Sequence, residues 1–344
     1  MPQNRGLTHS AARATGYHKI RMARYLVTGC AGFIGSNLAE KLVGTFAPNG
    51  DVIRGLDNFE TGKHENLSTF RDHIEFIECD LRDAEATARA CEGVDYIFHA
   101  AARPSVPRSV KDPRTSHTAN VDGTFNLLEG ARAAGVRRVV YSASSSAYGN
   151  QPGFPRRETM VPMPIAPYPV QKLAGEYYMK SYWQVYGLET VCLRYFNIFG
   201  PKQVPDSPYS GVMAKFTLQM MRGERPTIFG DGEQGRDFTY IANAVSANML
   251  AMAAPAENVA GKVFNVGCGE RHSLNKTFKV LAKLLDFKEL PIYGPPRTGD
   301  IRDSLADVSA AREAFGYKVA VSFEEGLRRT VEWYRQQYAE VVAK

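Results

Sequence analysis

The most constraining stretch of this 344-residue chain is Gly29-Cys30-Ala31-Gly32-Phe33-Ile34-Gly35, which separates the short apolar run Tyr25-Leu26-Val27-Thr28 from a segment of helical periodicity, residues 36–43. Glycines spaced GxxGxxG between a strand and a helix permit a tight turn, let the backbone approach a pyrophosphate, and bring helix against strand. The free amides at the helix start then face the anion. Phe33 and Ile34 belong to the same turn. Asp57 stands 22 residues after Gly35, at the end of a second strand candidate, residues 52–56. A carboxylate there accepts hydrogen bonds from the adenosine ribose hydroxyls and repels a 2′-phosphate, so the pattern favours NAD over NADP. The plainer reading, that Asp57-Asn58 merely starts a turn, is outweighed by the glycines.

Further strand candidates, residues 74–77, 96–99, 138–142 and 189–194, alternate with helical stretches 84–90, 121–134 and 170–186. Such alternation predicts an α/β fold, a Rossmann-type doubly wound parallel sheet. Asp80-Leu81 follows the third strand and is placed to reach an adenine, although Asp80 could equally cap the next helix. Ala100 and Ala101, after the fourth strand, are small where a cofactor must pass close to backbone. Beyond residue 195 a loop at 200–211, a helix at 212–222 and a final amphipathic helix at 323–338 predict a smaller C-terminal α/β substrate domain. The division read from the sequence is a basic extension 1–23, a dinucleotide domain 24–195 to which segments within 236–266 return, and a substrate domain 196–344.

The net charge of +6 raises the question of nucleic acid. Five basic and no acidic residues fall within residues 1–24, so the remaining chain is close to neutral. That distribution argues against a nucleic-acid surface, and the tail is read as solvated or incidental. No apolar run approaches the roughly 20 residues needed to cross a bilayer. A cytoplasmic protein without a membrane partner is expected. The five cysteines show no metal-ligand spacing and are read as buried thiols, with no metal site.

Tyr168 and Lys172 lie four residues apart near the start of a helical stretch, on one face. A phenol with a pKa of about 10 is a poor base at neutral pH, but a neighbouring ammonium and a positive nicotinamide favour the phenolate. Such a group takes a proton from a sugar hydroxyl while hydride leaves the same carbon. YxxxK alone is an ordinary helix surface. The preceding strand end, Ser142-Ala143-Ser144-Ser145-Ser146-Ala147-Tyr148-Gly149, gives it weight, because ligands in open α/β sheets bind beyond the carboxyl ends of strands.

Together with Leu193-Arg194-Tyr195-Phe196-Asn197, Gly235-Arg236-Asp237-Phe238 and Arg297-Thr298-Gly299-Asp300, these motifs resemble the extended short-chain dehydrogenase/reductases, and within them the UDP-sugar 4-epimerases, over residues 24–338. The resemblance implies a Ser144, Tyr168, Lys172 triad, bound NAD, a UDP-sugar substrate and a homodimer paired through residues 118–134 and 170–186. It also implies UDP contacts at Asn197, Gly211, Val212, Thr227, Phe229, Arg236, Arg297 and Asp300, where two guanidiniums suit a diphosphate.

Related dehydratases and decarboxylases carry acidic residues just after the triad serine; here Ser145 and Ser146 occupy those positions, which favours simple epimerisation. Ser105, Arg108 and Ser304 resemble the branch acting on UDP-N-acetylhexosamines and their uronic acids. A small Ser304 leaves room for an N-acetyl group. Arg108 is read either as a partner for a carboxylate or phosphate, or as a helix-start salt-bridge residue. Pro169, directly after the tyrosine, requires Tyr168 to lie at or next to the helix start.

Overall fold

The computed structural model describes residues 22–205, 211–296 and 302–338. In β1 (Arg24–Thr28), Tyr25 and Val27 enter one core cluster and Leu26 the other, the two-residue alternation of a strand buried on both faces. There follow α1 (Phe33–Phe46), β2 (Val52–Asp57), β3 (Glu75–Glu78), α2 (Ala84–Cys91) and β4 (Tyr96–His99). Helices α3 (Val106–Lys111), α4 (Pro113–His117) and α5 (Gly123–Ala133) lead to β5 (Arg138–Ser144), α6 (Pro167–Tyr186) and β6 (Glu189–Tyr195).

These six strands and Lys262–Val266 form one seven-stranded sheet in the order Lys262–Val266, β6, β5, β4, β1, β2, β3. Every neighbouring pair is parallel. The chain runs outward from β1 through β2 to β3, then returns to the other side of β1 for β4. That reversal opens a crevice at the carboxyl ends of β1 and β4. One core cluster joins α1 and the helices Ile241–Ala253 and Phe323–Gln337 to the sheet; the other joins α2, α5 and α6. Strand Lys262–Val266, far along the chain, pairs with β6, so residues beyond 195 contribute to the main sheet.

Three local readings are corrected. Helix α6 begins at Pro167, earlier than the periodicity of residues 170–186 indicates, because Pro167 needs no intrahelical N–H partner in the first turn. The stretch 121–134 is α-helical only from Gly123; Thr118–Asp122 forms a wider π-type turn, within which Asn120 donates to Gln171 Oε1 at 2.8 Å. The cap of α2 is Asp83, which accepts from the Ala86 amide at 3.0 Å, so Asp80 has other partners. Cys30, Cys79, Cys91 and Cys192 are buried and Cys268 is half-buried. Among the described residues no helix is long and apolar enough to cross a membrane.

Candidate active site

At the carboxyl end of β1, Gly29 adopts φ +71°, and a Cβ there would lie 2.7 Å from Ala101 Cα. A Cβ on Gly35 would lie 2.0 Å from the Gly29 carbonyl oxygen. Both positions therefore require glycine. Gly32 caps α1 without a side chain, and the first turn carries no acidic residue, which leaves the leading amides for an anion. Asp57 accepts from the Ala31 amide at 2.9 Å and from the Phe59 amide at 2.8 Å. Burial raises its pKa and these amide bonds oppose the rise. It starts a turn and also lines the cavity, and two bonds leave acceptor capacity on a carboxylate. Asn58 donates to Asp80 at 2.7 Å, and Arg82 holds the Asp80 carboxyl down at about 2.

Lys172 follows Tyr168 by one turn of α6 and is 3% exposed. Its Nζ lies 4.7 Å from the Tyr141 ring centroid. Burial pulls its pKa down to about 8, and Glu176, a further turn along, opposes that fall. Glu176 is held by Arg194 through bonds of 2.9 and 2.7 Å. Burial pushes the Tyr168 phenol up to about 12, against a hydrogen bond from Ser144. The protein alone thus keeps Tyr168 protonated, because burial penalises its own phenolate. Ser144 Oγ accepts from the Ser146 amide at 3.2 Å and lies 2.8 Å from Ser146 Oγ. The Tyr168 amide donates to Ser109 Oγ at 3.0 Å, fixing the start of α6 against α3.

All the cofactor-side residues singled out in the sequence line one cavity of about 750 Å³, together with Ser144, Ser145, Tyr168 and Lys172. So do Ser105, Arg108, Asn197, Gly211, Arg236 and Ser304. Val212, Thr227 and Phe229 line an adjoining cavity of about 290 Å³ that shares Asn197, Gly211 and Arg236 with the first. Arg297 and Asp300 lie outside the described residues. Ser105 Oγ also caps α3, accepting from the Arg108 amide at 3.1 Å.

Residues 25–267 match the model of the NAD-dependent epimerase/dehydratase family. The chain belongs to this family. It is 39% identical over 318 residues to the UDP-glucose 4-epimerase of Mycolicibacterium smegmatis, covering 91% of this chain and 99% of that protein. The UDP-glucose 4-epimerase of Thermotoga maritima, solved with UDP-glucose, has a TM-score of 0.85 at 40% identity, over 91% of this chain and 99% of that one. The UDP-N-acetylglucosamine 4-epimerase of Methanobrevibacter ruminantium, solved with UDP-N-acetylmuramic acid, has a TM-score of 0.85 at 37% identity, over 92% of this chain and 100% of that one.

For this epimerase/dehydratase-family chain the NAD fit rests on its own geometry: glycines whose side chains would fill the turn, an uncapped α1, and a carboxylate at the end of β2. The sequence reading passed over several residues on the cavity wall, among them Lys63, Arg156, Gln203 and Asp303. Lys63, five residues after the Asp57-Asn58 pair, was within reach of motif reasoning. Arg156 and Gln203 sit in loops without periodicity, and only tertiary packing brings them to the wall.

Proposed function

We propose that this chain is a 4-epimerase of UDP-N-acetylhexosamines or their uronic acids, acting through a 4-keto sugar. The observation that carries the reading is Ser144, Tyr168 and Lys172 on the wall of one cavity with serines at 145 and 146. The cavity-wall carboxylates Asp57, Glu60 and Asp80 belong to the cofactor end, and Asp303 is tied to Arg271 Nε at 2.6 Å. Among the described residues that leaves no free carboxylate on the cavity wall beside Ser144 to eliminate water, which weighs against a dehydratase.

Ser144 hydrogen-bonds the C4 oxygen, and Tyr168 takes the C4 hydroxyl proton and later returns it. Lys172, under the same helix face, stabilises the phenolate and orients the cofactor ribose. When bound, NAD would be held by the glycine turn, Asp57 and Lys172 and would supply a reversible hydride acceptor for C4. Arg236 faces the diphosphate, and the smaller cavity lined by Val212, Thr227 and Phe229 takes the uracil. Ser304 leaves space for the N-acetyl group. A homodimer is supported by exposed apolar residues on α5 and α6, Phe125, Val170, Tyr177, Tyr178, Val185 and Tyr186.

The test compares turnover of UDP-N-acetylglucosamine, its uronate, UDP-glucose and UDP-glucuronate, with products resolved by NMR. The reading expects C4 epimers of N-acetylated sugars without net redox change. Absence of turnover on every N-acetylated sugar would sink it.

A further inference from the structure

Four arginines of the described chain are buried: Arg54, Arg138, Arg156 and Arg194. Three have a carboxylate partner, Glu75, Glu189 and Glu176 respectively, at 3.1, 2.6 and 2.7 Å. Arg156, only 3% exposed, has none among the described residues. Its guanidinium lies 4.4 Å from the Phe154 ring centroid, and Nη1 donates to the carbonyls of Pro152 at 3.4 Å and Gly153 at 3.2 Å.

The acids nearby in the fold bond other groups and form no ion pair with it. Glu158 accepts from the Asn265 amide at 2.7 Å, Asp307 from Arg157 Nε at 3.0 Å, and Asp303 from Arg271 Nε at 2.6 Å. A guanidinium keeps its charge, and a buried charge is costly unless it is paired. Burial accordingly draws its pKa down.

Arg156 is also on the wall of the main cavity, beside the segment that carries Ser304: its amide donates to the Leu305 carbonyl at 2.7 Å. We propose that Arg156 is the anion-binding residue of the sugar subsite and that the preferred sugar carries a carboxylate. The proposal rests on the 4-epimerase reading and narrows its substrate. Arg236, at the junction with the smaller cavity, serves the diphosphate, so the charge that Arg156 meets belongs to the sugar. A carboxylate matches the guanidinium fork. It can sit at C6, as in a uronate, or on an ether substituent of the ring, as in a lactyl sugar.

The experiment measures kcat/KM of the NAD-loaded full chain for UDP-N-acetylglucosamine, its C6 uronate and UDP-N-acetylmuramic acid, in the wild type, Arg156→Gln and Arg156→Lys. The expected result is a wild-type preference for one acidic sugar, and which one identifies the source of the carboxylate. Arg156→Gln lowers kcat/KM for that sugar by about thirty-fold or more, chiefly through KM, and leaves the neutral sugar within about three-fold. Arg156→Lys recovers part of the loss. Because each variant is compared across sugars, a loss of folded protein cancels, and the wild-type preference is read without any variant. A wild-type preference for the neutral sugar, or an equal loss on acidic and neutral sugars in Arg156→Gln, overturns the proposal while leaving 4-epimerisation intact. Failure to epimerise any of the three overturns the parent reading as well.

Discussion

Replacing Lys172 with methionine is expected to abolish turnover and yet stabilise the NAD-free fold. The lysine is 3% exposed, and burial lowers its pKa from 10.5 to about 8. At about 1.36 kcal/mol per pH unit, keeping it charged at pH 7 costs about 3 kcal/mol. Methionine has similar length and no charge, and it forfeits the ammonium contact with the Tyr141 ring, worth about 1 kcal/mol. The net gain is about 2 kcal/mol at pH 7, a rise of a few degrees in Tm. Folded Lys172 releases its proton near pH 8, whereas the unfolded lysine holds it to about 10.5. Between those values the unfolded chain binds more protons, so this group's contribution to stability rises with pH. The advantage of the variant therefore shrinks from pH 8 upward and is largely gone near pH 10.5. Urea unfolding of both proteins without NAD at pH 7, 8.5 and 10 measures the difference, and titrations common to both cancel. A variant less stable at pH 7, or a difference flat with pH, refutes the reasoning.

Gly35→Ala and Gly44→Ala lie in the same helix with opposite expectations. The first drives a Cβ to 2.0 Å from the Gly29 carbonyl and should cost about 3 kcal/mol and the bound NAD; the second meets nothing within 4 Å and should add about 0.8 kcal/mol. Thermal melts and the NAD content of purified protein check both. Ser304→Tyr is expected to cut kcat/KM for N-acetylated sugars more than ten-fold, about 1.4 kcal/mol or more, while sparing any turnover of UDP-glucose, as measured by coupled assay. Glu176→Gln leaves Arg194 buried without its carboxylate and should cost about 3 to 5 kcal/mol in urea unfolding. It also removes the charge opposing the fall in the Lys172 pKa, so that ionisation moves lower in the pH–rate profile.

Local pattern revealed the parts of this molecule that local physics decides. The strand, glycine turn and helix of residues 24–46, the alternation that builds the parallel sheet, and the position of Tyr168 next to a proline-marked helix start could all be read along the chain. Pro169 in particular constrained α6 correctly, because a proline tolerates only the first turn. What stayed hidden depends on burial and on distant partners. The competition between Asp80 and Asp83 for the α2 cap is settled by a turn that sequence spacing leaves open. The shifts at Tyr168 and Lys172 follow from burial, opposed at the tyrosine by Ser144 and at the lysine by Glu176, itself anchored by Arg194 on β6. Arg156 stands next to Arg157 in the sequence, where nothing tells the two apart. Only the folded chain separates it from Arg157, which is exposed and bound to Asp307.

The central claim is reversible oxidation at C4 with the proton handled by Tyr168. It is tested most directly with a UDP-N-acetylhexosamine, or its uronate, deuterated at C4 and incubated with the NAD-loaded enzyme in ordinary water. The account predicts the C4 epimer with deuterium retained at C4, and no product from Tyr168→Phe at equal NAD content. Loss of the label to solvent, a dehydrated or decarboxylated product, or undiminished turnover by Tyr168→Phe would contradict it.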